Sequence, residues 1–159
     1  MNLYLIRHSL AENLNYNLKD FDRALTKNGI LILNKSIENW KYFLNKIDVI
    51  VTSPLVRAVQ TAEIISKAFL VEQKVIKENI FSPGSKTSDL IELLNVLNKD
   101  DVVIVGHQPD LSIHAQNLCS TGGLNISFSP ATLVKIEFER KIRNSAGQLV
   151  CLIPPNTHK

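Results

Sequence analysis

Three short apolar runs recur along the chain, each bounded by polar or turn-forming residues: Leu3–Ile6, Asp48–Val51 and Val102–Val105. Runs of this length, without a polar residue at every second position, are typical of parallel strands covered on both faces. The pattern therefore predicts three buried strands of one sheet.

Longer segments between these runs repeat apolar residues at steps of three and four, which is the period of an amphipathic helix. The first helix is predicted over Thr26–Leu44. The second follows Ser53 and Pro54, which suit a helix N-cap and the first helical position. Leucines at positions 90, 93, 94 and 97 mark a third helix. Strands and helices thus alternate, as they do in α/β proteins with a parallel sheet.

The end of the chain has a different pattern. Val134, Ile136 and Phe138 alternate with charged residues, the segment RNSAGQ has the composition of a turn, and Leu149–Ile153 is apolar again. This arrangement predicts a closing hairpin beside the parallel strands. We therefore expect one domain over residues 1–159, an α/β protein built as a three-layer α/β/α sandwich with a mainly parallel central sheet.

Composition and charge indicate which kinds of ligand and partner the chain is expected to bind. With 45% hydrophobic and 21% charged residues among 159, the chain is typical of a globular protein with a sizeable core. The net charge of +3 permits an anionic substrate but does not indicate nucleic acid, because lysine and arginine form no dense stripe. The most basic stretch, Arg140 with the KIRN that follows, is predicted to be a solvated hairpin turn. No apolar run approaches the length of a membrane span, and Met1–Ile6 is too short for a signal peptide.

Two cysteines, Cys119 and Cys151, lie in apolar surroundings without the C-x-x-C spacing of metal or redox motifs. We expect both to be buried thiols in a reducing compartment, which predicts a cytoplasmic protein.

One long connection, from Ser9 to Leu25, has three asparagines, two aspartates and no clear periodicity. Long connections of this kind are usually functional or disordered. Because it leaves the end of the first predicted strand, we expect it to border a site there, with Arg23 against the substrate or just behind it.

Cationic or proton-accepting side chains follow each of the three apolar runs. Arg7 and His8 come directly after the first run, Arg57 follows the second, and His107 follows the third. Ligands of open α/β sheets bind outside the carboxyl ends of the parallel strands. We therefore expect these four side chains to meet at one edge of the sheet, although any strand that reaches the surface can end on a polar residue.

Arg57 stands near the start of its predicted helix, where the helix dipole disfavours a cation. A bound anion would offset that effect, and the helix N-terminus presents backbone N–H groups to the same anion. The alternative is an arginine that extends into solvent.

Histidines at strand ends suit either a metal site or metal-free chemistry. No Asp, Glu or Cys stands at a usual ligand spacing beside His8 or His107, although His114 follows seven residues later on a predicted helix. We therefore expect no metal and no cofactor. Two arginines and two histidines suit phosphoryl transfer, in which the charge spreads over three oxygens and a neutral imidazole can accept the phosphoryl group.

The same segments resemble the motifs of a known family. LIRHSLAE is similar to the RHG signature of the histidine phosphatase superfamily, the phosphoglycerate-mutase-like proteins. TSPLVRAVQTAEII matches its second motif, SSPxxRAxQTA, and IVGHQPDLS matches its third. The order, the spacing and the short chain most resemble the SixA-type phosphohistidine phosphatases. DRALTKNG and FSPATLVKIEF also resemble that branch, so the resemblance spans essentially the whole chain.

This resemblance implies a phosphoglycerate-mutase-like fold and a role for each matching residue. His8 corresponds to the residue that becomes phosphorylated. Arg7, Arg57 and His107 correspond to the residues that hold the phosphoryl oxygens.

Two positions depart from the family pattern. Ser9 replaces the glycine that usually follows the Arg-His pair, and we expect its side chain to narrow the pocket or contact the ligand. Larger members of the superfamily also use a carboxylic acid to protonate the leaving group. Glu78, in KENIFSPG, is the candidate for that role, and an exposed loop charge is the slightly favoured alternative.

The resemblance favours a metal-independent phosphatase that acts on phosphohistidine in a partner protein. A phosphomonoesterase that acts on small phosphate esters with the same His8 chemistry is the alternative. A phosphoprotein-binding module without turnover is a third hypothesis, which the intact set of four residues argues against. We do not expect a mutase, because the chain is short for the cap that retains a free intermediate.

Overall fold

A computed structural model describes residues 1–139 and 141–155, so Arg140 and the tail with His158 lie outside the described chain. Within these ranges, six strands alternate with four α-helices. The strands are β1 (Asn2–Arg7), β2 (Val49–Thr52), β3 (Ile76–Lys77), β4 (Asp101–Gly106), β5 (Leu133–Glu137) and β6 (Gln148–Ile153). The α-helices are α1 (Lys27–Trp40), α2 (Val56–Ala68), α3 (Thr87–Leu97) and α4 (Asp110–Cys119), and 3₁₀ turns occur at Asp20–Asp22 and Asn79–Phe81.

The strands form one sheet in the order β3-β2-β4-β1-β5-β6. The first four are parallel to one another, whereas β5 runs antiparallel to β1 and β6 runs antiparallel to β5. The predicted parallel strands and the closing hairpin are therefore confirmed. Since β4 lies between β1 and β2, the carboxyl ends of these three strands are adjacent.

Apolar side chains cover both faces of the sheet. In β1, Leu3 and Leu5 belong to a cluster with residues of α3 and α4, whereas Tyr4 and Ile6 belong to a cluster with residues of α1 and α2. This alternation follows from the pleat, which points successive side chains to opposite faces. Two helices pack on each face, so the predicted three-layer α/β/α sandwich is confirmed.

Two helix boundaries differ from the prediction. Helix α1 begins after Thr26, whose side chain caps the N–H of Gly29, but it ends at Trp40 rather than Leu44. After Trp40 the chain tightens into turns, with the N–H groups of residues 43 and 44 both donating to the Trp40 carbonyl. The apolar period continues past the helix because Leu44 remains fully buried in the same cluster.

Helix α2 begins at Val56, and its N-cap residue is Leu55, so Ser53 is not the cap that the sequence predicted. The Ser53 hydroxyl instead contacts a histidine of the candidate site described below.

The long connection after β1 packs closely against the start of α1. A Cβ atom at Gly29 would lie 2.1 Å from the carbonyl oxygen of Leu10, so no larger residue fits there without displacing the backbone. The same carbonyl accepts a hydrogen bond from the N–H of Thr26 at 2.9 Å. This contact fixes the direction in which the connection leaves the sheet.

In the described ranges no helix is long and apolar enough to cross a membrane. Cys119 and Cys151 are both free and partly buried. A single domain over the whole chain and a cytoplasmic location remain predictions.

Candidate active site

The sheet brings Arg7, His8, Arg57 and His107 together at its carboxyl edge. The N–H of His8 donates to the carbonyl of Gly106 at 3.2 Å, which continues the pairing of β1 with β4 by one residue. The imidazole rings of His8 and His107 lie with centroids 5.1 Å apart and planes inclined by 56°. The Arg57 Nε atom lies 3.3 Å from His8 Nε2. The side chains of His8, Arg57 and His107 therefore meet as expected, and Arg7 is close enough for its charge to lower the pKa of His8.

The His8 imidazole is held in one tautomer. Its Nδ1 lies 2.7 Å from the carbonyl oxygen of Ser9, and since a carbonyl only accepts, Nδ1 carries the proton. In the neutral ring Nε2 is then unprotonated and accepts the hydrogen bond from the Nε–H of Arg57. Burial lowers the pKa of His8 to about 4, assisted by the charges of Arg57 and Arg7 and opposed by the Ser9 hydrogen bond. The ring is consequently neutral at neutral pH, with a lone pair on Nε2.

Arg57 does not extend into solvent, because its side chain is only 6% exposed. Its Nη1 donates to the backbone carbonyl of Asp20 at 2.6 Å, and its Nη2 donates to Asp20 Oδ2 at 3.0 Å. Asp20 was not predicted as a site residue. Asp20 lies two residues before the segment DRALTKNG that resembles the SixA-type branch, in a connection without periodicity, so no motif pointed to it.

Arg7 is anchored by the segment that precedes β5. Its Nη1 donates to the carbonyl of Phe128 at 2.7 Å, and its Nε is buried with no protein partner among the described residues. Burial, together with the nearby charge of Arg57, lowers the pKa of Arg7. The N–H of Ala131 donates to the carbonyls of both Arg7 and His8, at 3.2 and 3.3 Å. The connection before β5 thus fixes the backbone that carries Arg7 and His8.

His107 is buried and makes one side-chain hydrogen bond, between its Nε2 and the hydroxyl of Ser53 at 2.8 Å. Its Nδ1 has no hydrogen-bond partner within the described chain. Burial lowers the pKa of His107 to about 3, and His8 and Arg57 contribute to the shift. Ser53 also accepts from the N–H of Leu55 at 3.3 Å, so its hydroxyl links the start of α2 to His107. The contact was not predicted, because Ser53 before Pro54 is also typical of a helix N-cap.

Ser9 is placed differently from the expectation. It is fully buried, and its hydroxyl donates to the carbonyl of Gly29 at 2.7 Å, while its N–H donates to the hydroxyl of Thr61 at 3.2 Å. The side chain is therefore directed to α1 and does not narrow the pocket. The part of Ser9 that reaches the site is its carbonyl oxygen, which any residue would supply.

Arg23 contacts the site through Asp20. Its Nη1 lies 2.8 Å from Asp20 Oδ1, and its Nε donates to the carbonyl of Glu12 at 2.5 Å. Of the two expected positions, against the substrate or just behind it, these contacts correspond to the second.

Glu78 follows β3 at the same edge of the sheet and is half-buried, not fully exposed. Its N–H donates to the carbonyl of Thr52 at the end of β2 at 2.9 Å. Because β2 and β4 lie between β3 and β1, Glu78 stands at the margin of the group formed by Arg7, His8, Arg57 and His107.

His114 faces a different part of the fold. Its Nε2 and Nδ1 lie 2.9 Å from the hydroxyls of Ser85 and Thr87, respectively. Within the described ranges, no three His, Cys, Asp or Glu side chains are grouped so that they could hold a metal ion.

Comparison with known proteins identifies the family. Residues 3–80 match the model of the histidine phosphatase superfamily, branch 1. The chain belongs to the histidine phosphatase superfamily. It is also 33% identical to an uncharacterized protein of Picosynechococcus sp. over 118 residues. The aligned region covers 73% of this chain and 72% of that protein.

The fold of this histidine phosphatase superfamily member matches solved structures over nearly its whole length. The protein histidine phosphatase SixA complexed with tungstate superposes with a TM-score of 0.82 at 20% identity, covering 97% of each chain. A SixA-like protein of Agrobacterium tumefaciens gives 0.79 at 18% identity, again over 97% of each chain. A mycobacterial glucosyl-3-phosphoglycerate phosphatase gives 0.70 at 14% identity, over 96% of this chain and 98% of its own. The phosphoglycerate-mutase-like fold expected from the sequence is confirmed.

Proposed function

We propose that this protein is a phosphatase that transfers a phosphoryl group to His8 and acts on phosphohistidine in a partner protein. The observation that carries the proposal is the state of His8. Its Nδ1 proton is committed to the Ser9 carbonyl, and its Nε2 lone pair lies at the edge of the sheet beside Arg57. A neutral imidazole with one unprotonated nitrogen is a competent nucleophile.

The first chemical step forms a bond between His8 Nε2 and phosphorus while the bond between phosphorus and the substrate nitrogen breaks. The departing imidazole takes a proton from solvent. Because Nδ1 keeps its proton, the phosphorylated His8 ring carries a positive charge, which the Ser9 carbonyl stabilises at 2.7 Å. Water then attacks phosphorus, inorganic phosphate leaves, and the electron pair returns to Nε2.

The surrounding cations suit the charge of the transferred group. In phosphoryl transfer negative charge spreads over three oxygens, and catalysis depends mainly on positioning and electrostatic stabilisation. Arg7 and Arg57 are each anchored at Nη atoms by carbonyl or carboxylate oxygens, which keeps both guanidiniums beside His8. We assign to Arg7, Arg57 and His107 the binding of the phosphoryl oxygens. The SixA structure holds tungstate, an oxyanion that resembles phosphate.

Phosphohistidine is the favoured substrate class because its leaving group needs little acid assistance. Imidazole is a far better leaving group than an alkoxide, so a site without a committed general acid turns it over readily. Glu78 is the one carboxyl that the sequence suggested for that role, and it follows β3, which β2 and β4 separate from β1.

A small-molecule phosphomonoesterase is the second candidate, and the position of Glu78 favours it. The residue stands at the carboxyl edge of the sheet and is half-buried, from where a proton could reach a leaving group. A phosphoprotein-binding module is disfavoured, since Arg7, His8, Arg57 and His107 are all retained.

A substrate panel tests the proposal. Phosphohistidine peptides, sugar phosphates and an aryl phosphate are compared by kcat/KM, each with and without exhaustive chelation. We expect phosphohistidine to be hydrolysed most efficiently and chelation to leave every rate unchanged, because the cationic side chains take the place of a metal. Preference for a sugar phosphate would favour the second candidate. Loss of activity on chelation, with recovery on adding zinc or magnesium, would reject the metal-independent mechanism.

A further inference from the structure

The guanidinium of Arg57 is held from one side by a single residue. Nη1 donates to the Asp20 backbone carbonyl at 2.6 Å and Nη2 to Asp20 Oδ2 at 3.0 Å, so Asp20 binds both terminal nitrogens. The nitrogen that remains, Nε, donates to His8 Nε2 at 3.3 Å. A guanidinium is planar and rigid, so fixing its two terminal nitrogens also fixes the direction of its Nε–H.

Asp20 is itself braced. It begins the 3₁₀ turn Asp20–Asp22, and its second carboxylate oxygen, Oδ1, pairs with Arg23 Nη1 at 2.8 Å. Arg23 in turn donates a hydrogen bond to the carbonyl of Glu12, near the start of the long connection after β1. Charge-assisted contacts of this kind are stronger and more directional than neutral ones. A continuous chain of contacts therefore links the connection after β1 to the nitrogen of His8.

The carboxylate does not make the site unfit for a phosphoryl group. Hydrogen bonds from Arg23 and from Arg57 lower the pKa of Asp20, so it is ionised at neutral pH. Its single negative charge is shared between those two arginines, and Arg7 adds a third cation. Three arginines and one carboxylate leave two positive charges beside the neutral His8, which suits a phosphoryl dianion.

We propose that Asp20 is the positioning residue for Arg57, holding its guanidinium so that the Nε–H is directed at His8 Nε2 and at the oxygen of a phosphoryl group placed there. This inference rests on the proposed His8 chemistry but adds a residue to it. Asp20 acts through Arg57 and does not itself touch the transferred group.

Kinetics of three variants give the first test, with an aryl phosphate as the common substrate. Asp20→Ala should lower kcat by about 10- to 100-fold, the loss that accompanies one charge-assisted hydrogen bond in a transition state. Asp20→Asn keeps an oxygen that accepts from Nη2, so it should lose less. Asp22→Ala is the matched control, since it removes the same charge from the same turn, and it should retain wild-type kcat.

The His8 ring supplies a second readout that does not require any substrate. In protein with ¹⁵N-labelled imidazoles, the Nε2 signal reports its hydrogen bond and the titration reports its pKa. Removing the negative charge of Asp20 would by itself lower the pKa of His8. Release of the Arg57 Nε–H from Nε2 would raise it, by about half a unit or more, because a donor to the unprotonated nitrogen stabilises the neutral ring.

We therefore expect the pKa of His8 to rise in Asp20→Ala, with a changed Nε2 signal at neutral pH and no change in Asp22→Ala. A lowered pKa with an unaltered Nε2 signal would overturn the proposal, as would a higher kcat, which would mean that Asp20 competes with the substrate for Arg57. If the wild-type protein hydrolyses no phosphate compound, the proposed function fails. The imidazole signals still decide whether Asp20 positions Arg57.

Discussion

The Nε–H of Arg57 is directed at Nε2 of His8, at 3.3 Å, while the opposite ring nitrogen of His8 donates to the Ser9 carbonyl at 2.7 Å. The contact with Ser9 thus fixes the tautomer, and the contact with Arg57 marks Nε2 as the nitrogen with the lone pair. The arrangement explains how an imidazole that is 8% exposed stays neutral and ready to accept a phosphoryl group.

Replacing the imidazole should abolish turnover without unfolding the protein. We expect His8→Ala to lower kcat by about 10⁴-fold or more, because the covalent acceptor is lost. Rapid quenching of wild-type protein with ³²P-labelled substrate should give an acid-labile, base-stable label in the peptide that contains His8. The control is thermal unfolding of His8→Ala, which should be cooperative. Label in another peptide, or normal activity of the variant, would contradict the assignment.

Arg57 should keep His8 neutral over a wide pH range. The pKa of His8 is about 4, lowered by burial first and by the charge of Arg57 second among the lowering effects. Titration of the labelled imidazole should therefore find His8 neutral down to about pH 5, and Arg57→Ala should raise its pKa. Lys67→Ala, which removes a cation from the last turn of the same helix, is the matched control and should leave that pKa unchanged. An ordinary pKa for His8 in the wild-type protein would contradict the burial of its imidazole beside Arg57.

Much of the fold could be predicted because its signal is local. Leu3–Ile6 and Val102–Val105 are continuous apolar runs, and only a strand covered on both faces needs such a run in this setting. The placement of Arg7, His8 and His107 followed from the rule that parallel strands end at one edge. Arg57, which follows the second run, was placed by the same rule, and the family motifs added the roles expected of the four residues.

What the sequence could not give depends on which atoms meet in three dimensions. Ser9 and Ser53 are small hydroxyl residues with several local uses, and only the packing of α1 and β4 decides that one bonds Gly29 and the other His107. Asp20 lies in a connection without periodicity, so no pattern ties it to Arg57. The end of α1 was missed because Leu44 stays buried after the helix has turned.

Acid should destabilise the fold through a histidine outside the active site. Burial lowers the pKa of His114 to about 4, against 6.5 in the unfolded chain. The unfolded state then binds more protons between these values, so the free energy of unfolding falls as the pH drops below 6.5. The loss from His114 alone is about 2 kcal/mol by pH 5.

Urea unfolding at pH 7 and at pH 5 measures that loss. His114→Asn should be less stable than wild type at pH 7, because the ring packs between Ser85 and Thr87, yet its stability should change less between the two pH values. His8→Ala serves as a comparison. Because the pKa of His8 is also lowered, this substitution should reduce the pH dependence of the free energy of unfolding by a similar amount. If the free energy of unfolding of His114→Asn depended on pH as strongly as that of wild type, uptake of a proton by His114 on unfolding would not be the cause.

The role of Glu78 decides between the two substrate classes. For phosphohistidine the departing imidazole needs little acid help, so Glu78→Gln should leave kcat/KM within about twofold of wild type. Alkyl phosphates have poor leaving groups and should be slow in both proteins if no general acid operates. Glu72→Gln, an exposed carboxyl on the connection before β3, is the matched control for the loss of one charge. Efficient hydrolysis of an alkyl phosphate that falls by about 10²-fold or more in Glu78→Gln alone would identify Glu78 as a working general acid. The half-buried carboxyl at the end of β3 would then protonate the leaving oxygen, and the small-molecule phosphatase would replace the protein phosphatase as the favoured function.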